Sequence, residues 1–140
     1  MEKALNFLEE VSAEDIKTLS PLVLAHIGDA YFHLYVRTRL LQKTKNIARL
    51  HDLSAEIVSA VWQSKIYKDT VEPVLSEDEK YFFKRGKNAN TRKPRSSTIE
   101  EYHVSTGFET LLGRLFLTKN FSRLDEICSA AFEEFFSTVS

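Results

Sequence analysis

Apolar residues recur at helical spacing along almost the whole chain, and nowhere do they alternate with polar ones over the length of a strand. Leu5, Leu8 and Val11 begin the rhythm, and Ser12 can cap a short second helix with Asp15 at its third position. Ser20 and Pro21 read as N-cap and first residue of a long helix to about residue 42, apolar on nearly every side. Leu50, Leu53, Ile57, Val58 and Val61, then Trp62, Ile66 and Tyr67, predict one kinked helix or two over residues 46–72. Ser76 with Glu79, and Thr98 with Glu101, are S/T-x-x-E capping boxes. The first opens a helix predicted to stop at Gly86, the second a helix through IEEYHVSTGFETLLGRLFLTK. A last amphipathic helix follows Ser122, so the expected class is all-α and compact.

Composition narrows this picture. With 140 residues, 43% of them hydrophobic and 28% charged, the chain predicts a single domain over 1–140 with an adequate core. The lone Cys128 sits in an apolar pattern and reads as a small buried hydrophobe. No apolar run is long enough to span a membrane, and MEKALNFLEE lacks the basic start and apolar core of a signal peptide, which predicts a cytoplasmic protein. A net charge of −1 gives no general attraction to nucleic acid, so such binding requires a local basic patch.

Two positions break the apolar pattern of LAHIGDAYFHLYVR. Glycine in a helix interior costs roughly 1 kcal/mol against alanine, and Gly28 stands next to Asp29, an acid that resists burial without a partner. His26, Asp29, His33 and Arg37 fall in a wedge roughly 80° wide. The later helix repeats the oddity: Glu109 lies within apolar VSTGFETLLGRLF, with Gly113 one turn on and Gly107 two residues before. Helical glycines permit close backbone approach, so the two helices are predicted to cross and bring Asp29 and Glu109 together. Two carboxylates in an apolar setting need a proton, a cation or a basic partner, and oxygen ligands point to Mg²⁺ or Mn²⁺. Structural ion pairs, of Asp29 with His26, His33 or Arg37 and of Glu109 with some other base, are the competing explanation.

The segment FFKRGKNANTRKPRSS adds the missing charge. It carries Lys84, Arg85, Lys87, Arg92, Lys93 and Arg95 with no acid among them, and leads into the Glu109 helix. Such a run reads either as a solvated loop or as a grip on a phosphate backbone laid across the carboxylates. Asn88 is a polar residue able to hydrogen-bond a sugar or phosphate there.

Together these residues resemble a known family. LAHIGDAYFHLYV resembles the signature helix of ribonuclease III catalytic domains, while FKRGKNAN and STGFETLLGRLFL resemble their later segments in the same order and spacing. The resemblance extends over nearly the whole chain and is strongest to Mini-ribonuclease III, the form without an appended double-stranded-RNA-binding domain. It implies a compact helical endonuclease domain that dimerises, binds Mg²⁺ and hydrolyses phosphodiesters in double-stranded RNA. By position, Asp29 and Glu109 match the family's metal-binding catalytic carboxylates, and the expected RNA contacts are Lys84, Arg85, Lys87, Asn88, Arg92, Lys93 and Arg95. It further implies maturation of 23S ribosomal RNA precursor ends, with a ribosomal protein as a possible further partner.

Full-length relatives carry two more carboxylates where this chain has Ala25 and Thr106, and often an aromatic residue at the dimer contact where it has His26. Two acids suffice if RNA phosphate and water complete the coordination of Mg²⁺. Two other readings stay open. One is a catalytically silent RNA-binding or ribosome-associated relative of the same fold. The other is a helical metal phosphohydrolase built on His51, Asp52, His26 and Asp125.

Overall fold

The computed structural model describes residues 3–89 and 97–139. A 3-10 segment, Lys3–Glu10, leads into α1 (Ala13–Thr18), α2 (Pro21–Leu40), α3 (Ile47–Ile57) and α4 (Ala60–Ile66). A π turn (Tyr67–Val71) and a 3-10 turn (Glu72–Val74) connect to α5 (Glu77–Ala89), followed by α6 (Ile99–Leu117) and α7 (Phe121–Val139). The described residues are helical with no strand, the all-α class that the periodicity predicts.

Local chemistry accounts for the helix starts. Ser12, Ser20, Asn46 and Ser59 each accept the backbone N–H three residues on, satisfying one of the donors a helix start leaves free. Both capping boxes form: Ser76 with Glu79, and Thr98 with Glu101, exchange side-chain and backbone hydrogen bonds. Glu79 does more, since Arg123 clamps both its oxygens at 2.8 and 2.9 Å and so pins the start of α5 to α7. That clamp holds the Glu79 carboxyl below its ordinary range, with burial opposing.

Two boundaries differ from the sequence pattern. Helix α2 stops at Leu40, while residues 46–72 take the two-helix alternative, α3 and α4, followed by the π turn. Helix α5 continues past Gly86 to Ala89, because Gly86 faces Thr110 of α6 rather than ending the helix; a Cβ there would lie 2.1 Å from the Thr110 hydroxyl. Lys87 and Asn88 therefore stand on the same helix as Lys84 and Arg85 rather than in a loop.

At the centre α2 crosses α6. Leu24, Gly28, Phe32, Val36 and Leu40, every fourth residue, form the buried ridge of α2, and Phe32 meets Phe108 edge-to-face at 5.4 Å. Helix α6 is buried almost throughout from Val104 to Leu117. Cys128 lies fully buried, and burial pushes its thiol far above the ordinary range, which suits an inert packing role.

Candidate active site at the helix crossing

The crossing is tight because two glycines face each other's backbones. A Cβ on Gly28 would fall 1.8 Å from the Glu109 carbonyl oxygen, and one on Gly113 1.9 Å from that of Leu24. No larger residue fits without parting the helices. Gly107 serves a different contact, against Phe83 of α5.

This approach brings the carboxyl groups of Asp29 and Glu109 to hydrogen-bonding distance. Glu109 is held well above the ordinary carboxylate range, first by burial and then by the Asp29 carboxyl beside it. Gln63 works in the opposite direction: its amide Nε2 donates to Glu109 Oε2 at 3.3 Å, favouring the ionised form. The same nitrogen donates to the Val58 carbonyl at 2.9 Å. Both partners are acceptors, so the amide has one usable orientation, and α4 positions Glu109. Sequence reasoning missed Gln63. Its only signal is a polar residue in the middle of an apolar helix, with nothing nearby to show what it faces.

Asp29 has a basic neighbour as well. His33 Nε2 lies 3.0 Å from Asp29 Oδ1, one turn along α2, with both side chains substantially exposed. Of the three candidate partners on the polar stripe, the structure selects His33. His26 instead lines the cleft that holds the carboxylates, a cavity of about 400 Å³ whose walls include Ala25, Thr106, Ser105 and Tyr102. Ala25 and Thr106, where full-length relatives place further acids, thus flank the same space.

Two contacting carboxylates, one reluctant to ionise, with hydroxyl groups alongside, form a hard-oxygen donor set that fits a divalent cation of the Mg²⁺ class. Among the described residues no three His, Cys, Asp or Glu side chains cluster as a metal site, so substrate and water must supply the remaining positions. The His51, Asp52, His26 and Asp125 set is not assembled: His26 lines the carboxylate cleft, His51 a separate pocket, and Asp125 an apolar groove with Phe7 and Phe121.

The described basic residues of α5 stand apart from the cleft. Gly107 and Gly86 seat α5 against α6, and none of Lys84, Arg85, Lys87 or Asn88 lines the cavity. Lys84 and Asn88 are exposed, Arg85 lies against the Tyr81 and Phe82 rings, and Lys87 pairs with Glu100 at 3.0 Å. Arg92, Lys93 and Arg95 lie outside the described residues. His103, on α6, has its Nε2 buried without a hydrogen-bond partner.

A glycine-locked crossing that pairs two acids, in an all-helical fold, defines a ribonuclease III-type domain, and comparison with known proteins agrees. The ribonuclease III domain family matches residues 22–120, and the chain belongs to that family. It is 40% identical to Mini-ribonuclease 3 of Thermoanaerobacter sp. over 91% of this chain and 93% of that one. It is 37% identical to Mini-ribonuclease 3 of Clostridium tetani over 85% and 80%, respectively. A crystal structure of a Fusobacterium nucleatum protein superposes with a TM-score of 0.78 at 36% identity, covering 85% of this chain and 98% of that one. The chain is an endoribonuclease of the ribonuclease III type, a class that acts on double-stranded RNA. No helix among the described residues is long and apolar enough to cross a membrane.

Proposed function

We propose that this chain, as one catalytic domain spanning residues 1–140, cuts double-stranded RNA with Mg²⁺ held by Asp29 and Glu109, and that Mn²⁺ can substitute. The observation that carries this reading is the contact between two acids in an open cleft, where Glu109 is held well above its ordinary range. When bound, Mg²⁺ supplies a polarised phosphate oxygen, an activated water and compensation for charge on the leaving 3′-oxygen, giving 5′-phosphate and 3′-hydroxyl ends. The chain's own part is positional. Gln63 holds Glu109 from α4, His33 steadies Asp29, and the backbone contact at Gly28 and Gly113 fixes the distance between the two acids.

A-form RNA is read by shape through phosphates and 2′-hydroxyls across its shallow groove, so sequence preference is expected to be modest. Lys84, Arg85, Lys87, Asn88, Arg92, Lys93 and Arg95 are the proposed backbone contacts, with Lys87 exchanging Glu100 for phosphate. A two-fold homodimer, one site per strand, fits the exposure of Phe7, Leu22, Val23 and Leu34. The proposed setting is the cytoplasm, with 23S ribosomal RNA precursor ends as substrate and a ribosomal protein as possible partner.

Incubation with a long RNA duplex and Mg²⁺, beside matched single-stranded RNA and double-stranded DNA, tests the reaction. Cleavage of the RNA duplex alone is expected, and an intact duplex would refute the reading. A duplex of 23S precursor ends in the same assay tests the substrate. Light scattering at micromolar concentration tests the dimer, and a monomer mass with full activity would refute it.

A further inference from the structure

The carboxylate cleft shares a wall with a second pocket. Val58 borders both, and the second, about 290 Å³, is lined by His33, Arg37, His51, Ser54, Ala55 and Val58. Three of those six side chains are basic and none is acidic. His33 and Arg37 follow Asp29 at one-turn intervals on α2, and His33 is bonded to Asp29 itself. The pocket thus continues the polar stripe directly from the catalytic acid.

Two of the three basic side chains, Arg37 and His51, are free to take a ligand. Among the described residues Arg37 and His51 make no ion pair, so no acid competes for them there. The acids nearest in sequence are Asp29, bonded to His33, and Asp52, which does not line the pocket. A guanidinium flanked by imidazoles in a concavity is suited to the oxygens of a phosphate. Among the described residues the cleft itself holds no Lys or Arg to grip a strand, and the basic residues of α5 do not reach it. An adjacent cationic pocket supplies that grip.

We propose that the His33, Arg37 and His51 pocket is a phosphate subsite that holds the phosphodiester next to the one being cut. The proposal rests on reading Asp29 and Glu109 as the cleavage site. It assigns Arg37 and His51 a positioning role, with no part in the chemical step.

Duplex RNA binding without divalent metal, measured by fluorescence anisotropy across a KCl series, tests it. The variants are Arg37→Ala with His51→Ala, the milder Arg37→Gln with His51→Gln should the first fail to fold, and Lys17→Ala as a control for general charge. The double variant is expected to bind about tenfold more weakly, with a log Kd against log salt slope flatter by about one, while Lys17→Ala changes little. In single-turnover cleavage with Mg²⁺ its half-saturating duplex concentration should rise while the rate at saturation stays at the wild-type value. A double variant that binds like Lys17→Ala, or one that binds like wild type yet cuts slowly at saturation, would overturn the subsite. Wild type that binds duplex without cutting it would overturn the cleavage reading instead, and that result is read separately from the binding comparison.

Discussion

Helix α6 meets α2 and α5 through glycines, but the two contacts differ in what would have to move. On the α2 side backbone lies on backbone: added Cβ atoms at Gly28 and Gly113 first meet the carbonyls of Glu109 and Leu24. On the α5 side an added Cβ at Gly86 first meets the Thr110 side chain, and one at Gly107 meets the Phe83 ring and carbonyl, each at 2.7 Å, well outside the 1.8–1.9 Å carbonyl clashes of the α2 side. The acids stand at the first contact, where their spacing is set by main chain. Lys84, Arg85 and Lys87 ride on the second, whose helix is tied at its start by the Arg123–Glu79 clamp. Under the proposed function, chemistry falls at the tighter of the two contacts, where the main chain sets the spacing of the acids, and the described substrate-gripping residues fall beside the looser one.

The largest expected effect breaks this comparison directly. Gly28→Ala forces two backbones apart and should cost more than about 4 kcal/mol, enough to abolish folding in many domains of this size. Gly86→Ala meets the Thr110 hydroxyl at 2.1 Å and Cβ at 2.6 Å, with the Gly107 Cα at 3.1 Å, and should cost about 1–3 kcal/mol, the usual range for overpacking and less than a carbonyl clash at Gly28. Denaturant midpoints of the two variants check the order, and equal losses would remove the distinction between the contacts.

Gln63→Ala comes next. It strands the Val58 carbonyl and frees Glu109, so stability should fall by about 1–3 kcal/mol. Cleavage at saturating duplex should fall as well, because the carboxylate loses its support from α4. A stable variant cutting at the wild-type rate would show that Glu109 is positioned by other means.

The smallest effect sharpens the other side of the comparison. Replacing Arg92, Lys93 and Arg95 together by alanine should weaken duplex binding and flatten its salt dependence without altering the melting temperature. An unchanged salt slope would show that the segment leaves phosphates alone.

Features encoded within a few residues are legible in the amino-acid sequence. The capping boxes at Ser76 and Thr98 form as their spacing predicts, since both partners lie on one helical turn. The glycines beside Asp29 and Glu109 signal close approach, and the helices do cross there. Features decided by distant residues are not legible in the same way. Gly86 has the sequence context of a helix end, but Thr110, far along the chain, explains it. His26, His33 and Arg37 share one stripe with Asp29, and only three-dimensional geometry selects His33 as its partner. Gln63 carries no local sign that it faces Glu109.

The claim that Asp29 and Glu109 serve catalysis rather than stability is tested most directly by melting the metal-free Glu109→Gln variant beside wild type across pH, with duplex cleavage assayed on the same samples. Glu109 in the folded protein titrates well above its ordinary value near 4.5, so the folded state holds a proton that the unfolded state releases first. Metal-free wild type should therefore lose stability as pH rises above that ordinary value, over the window up to the raised one. Glu109→Gln, with no proton to lose, should show less of that decline. At neutral pH this variant should melt at or above wild type and cut no duplex in the presence of Mg²⁺. A variant that melts much earlier than wild type, yet cuts RNA when folded, would contradict it.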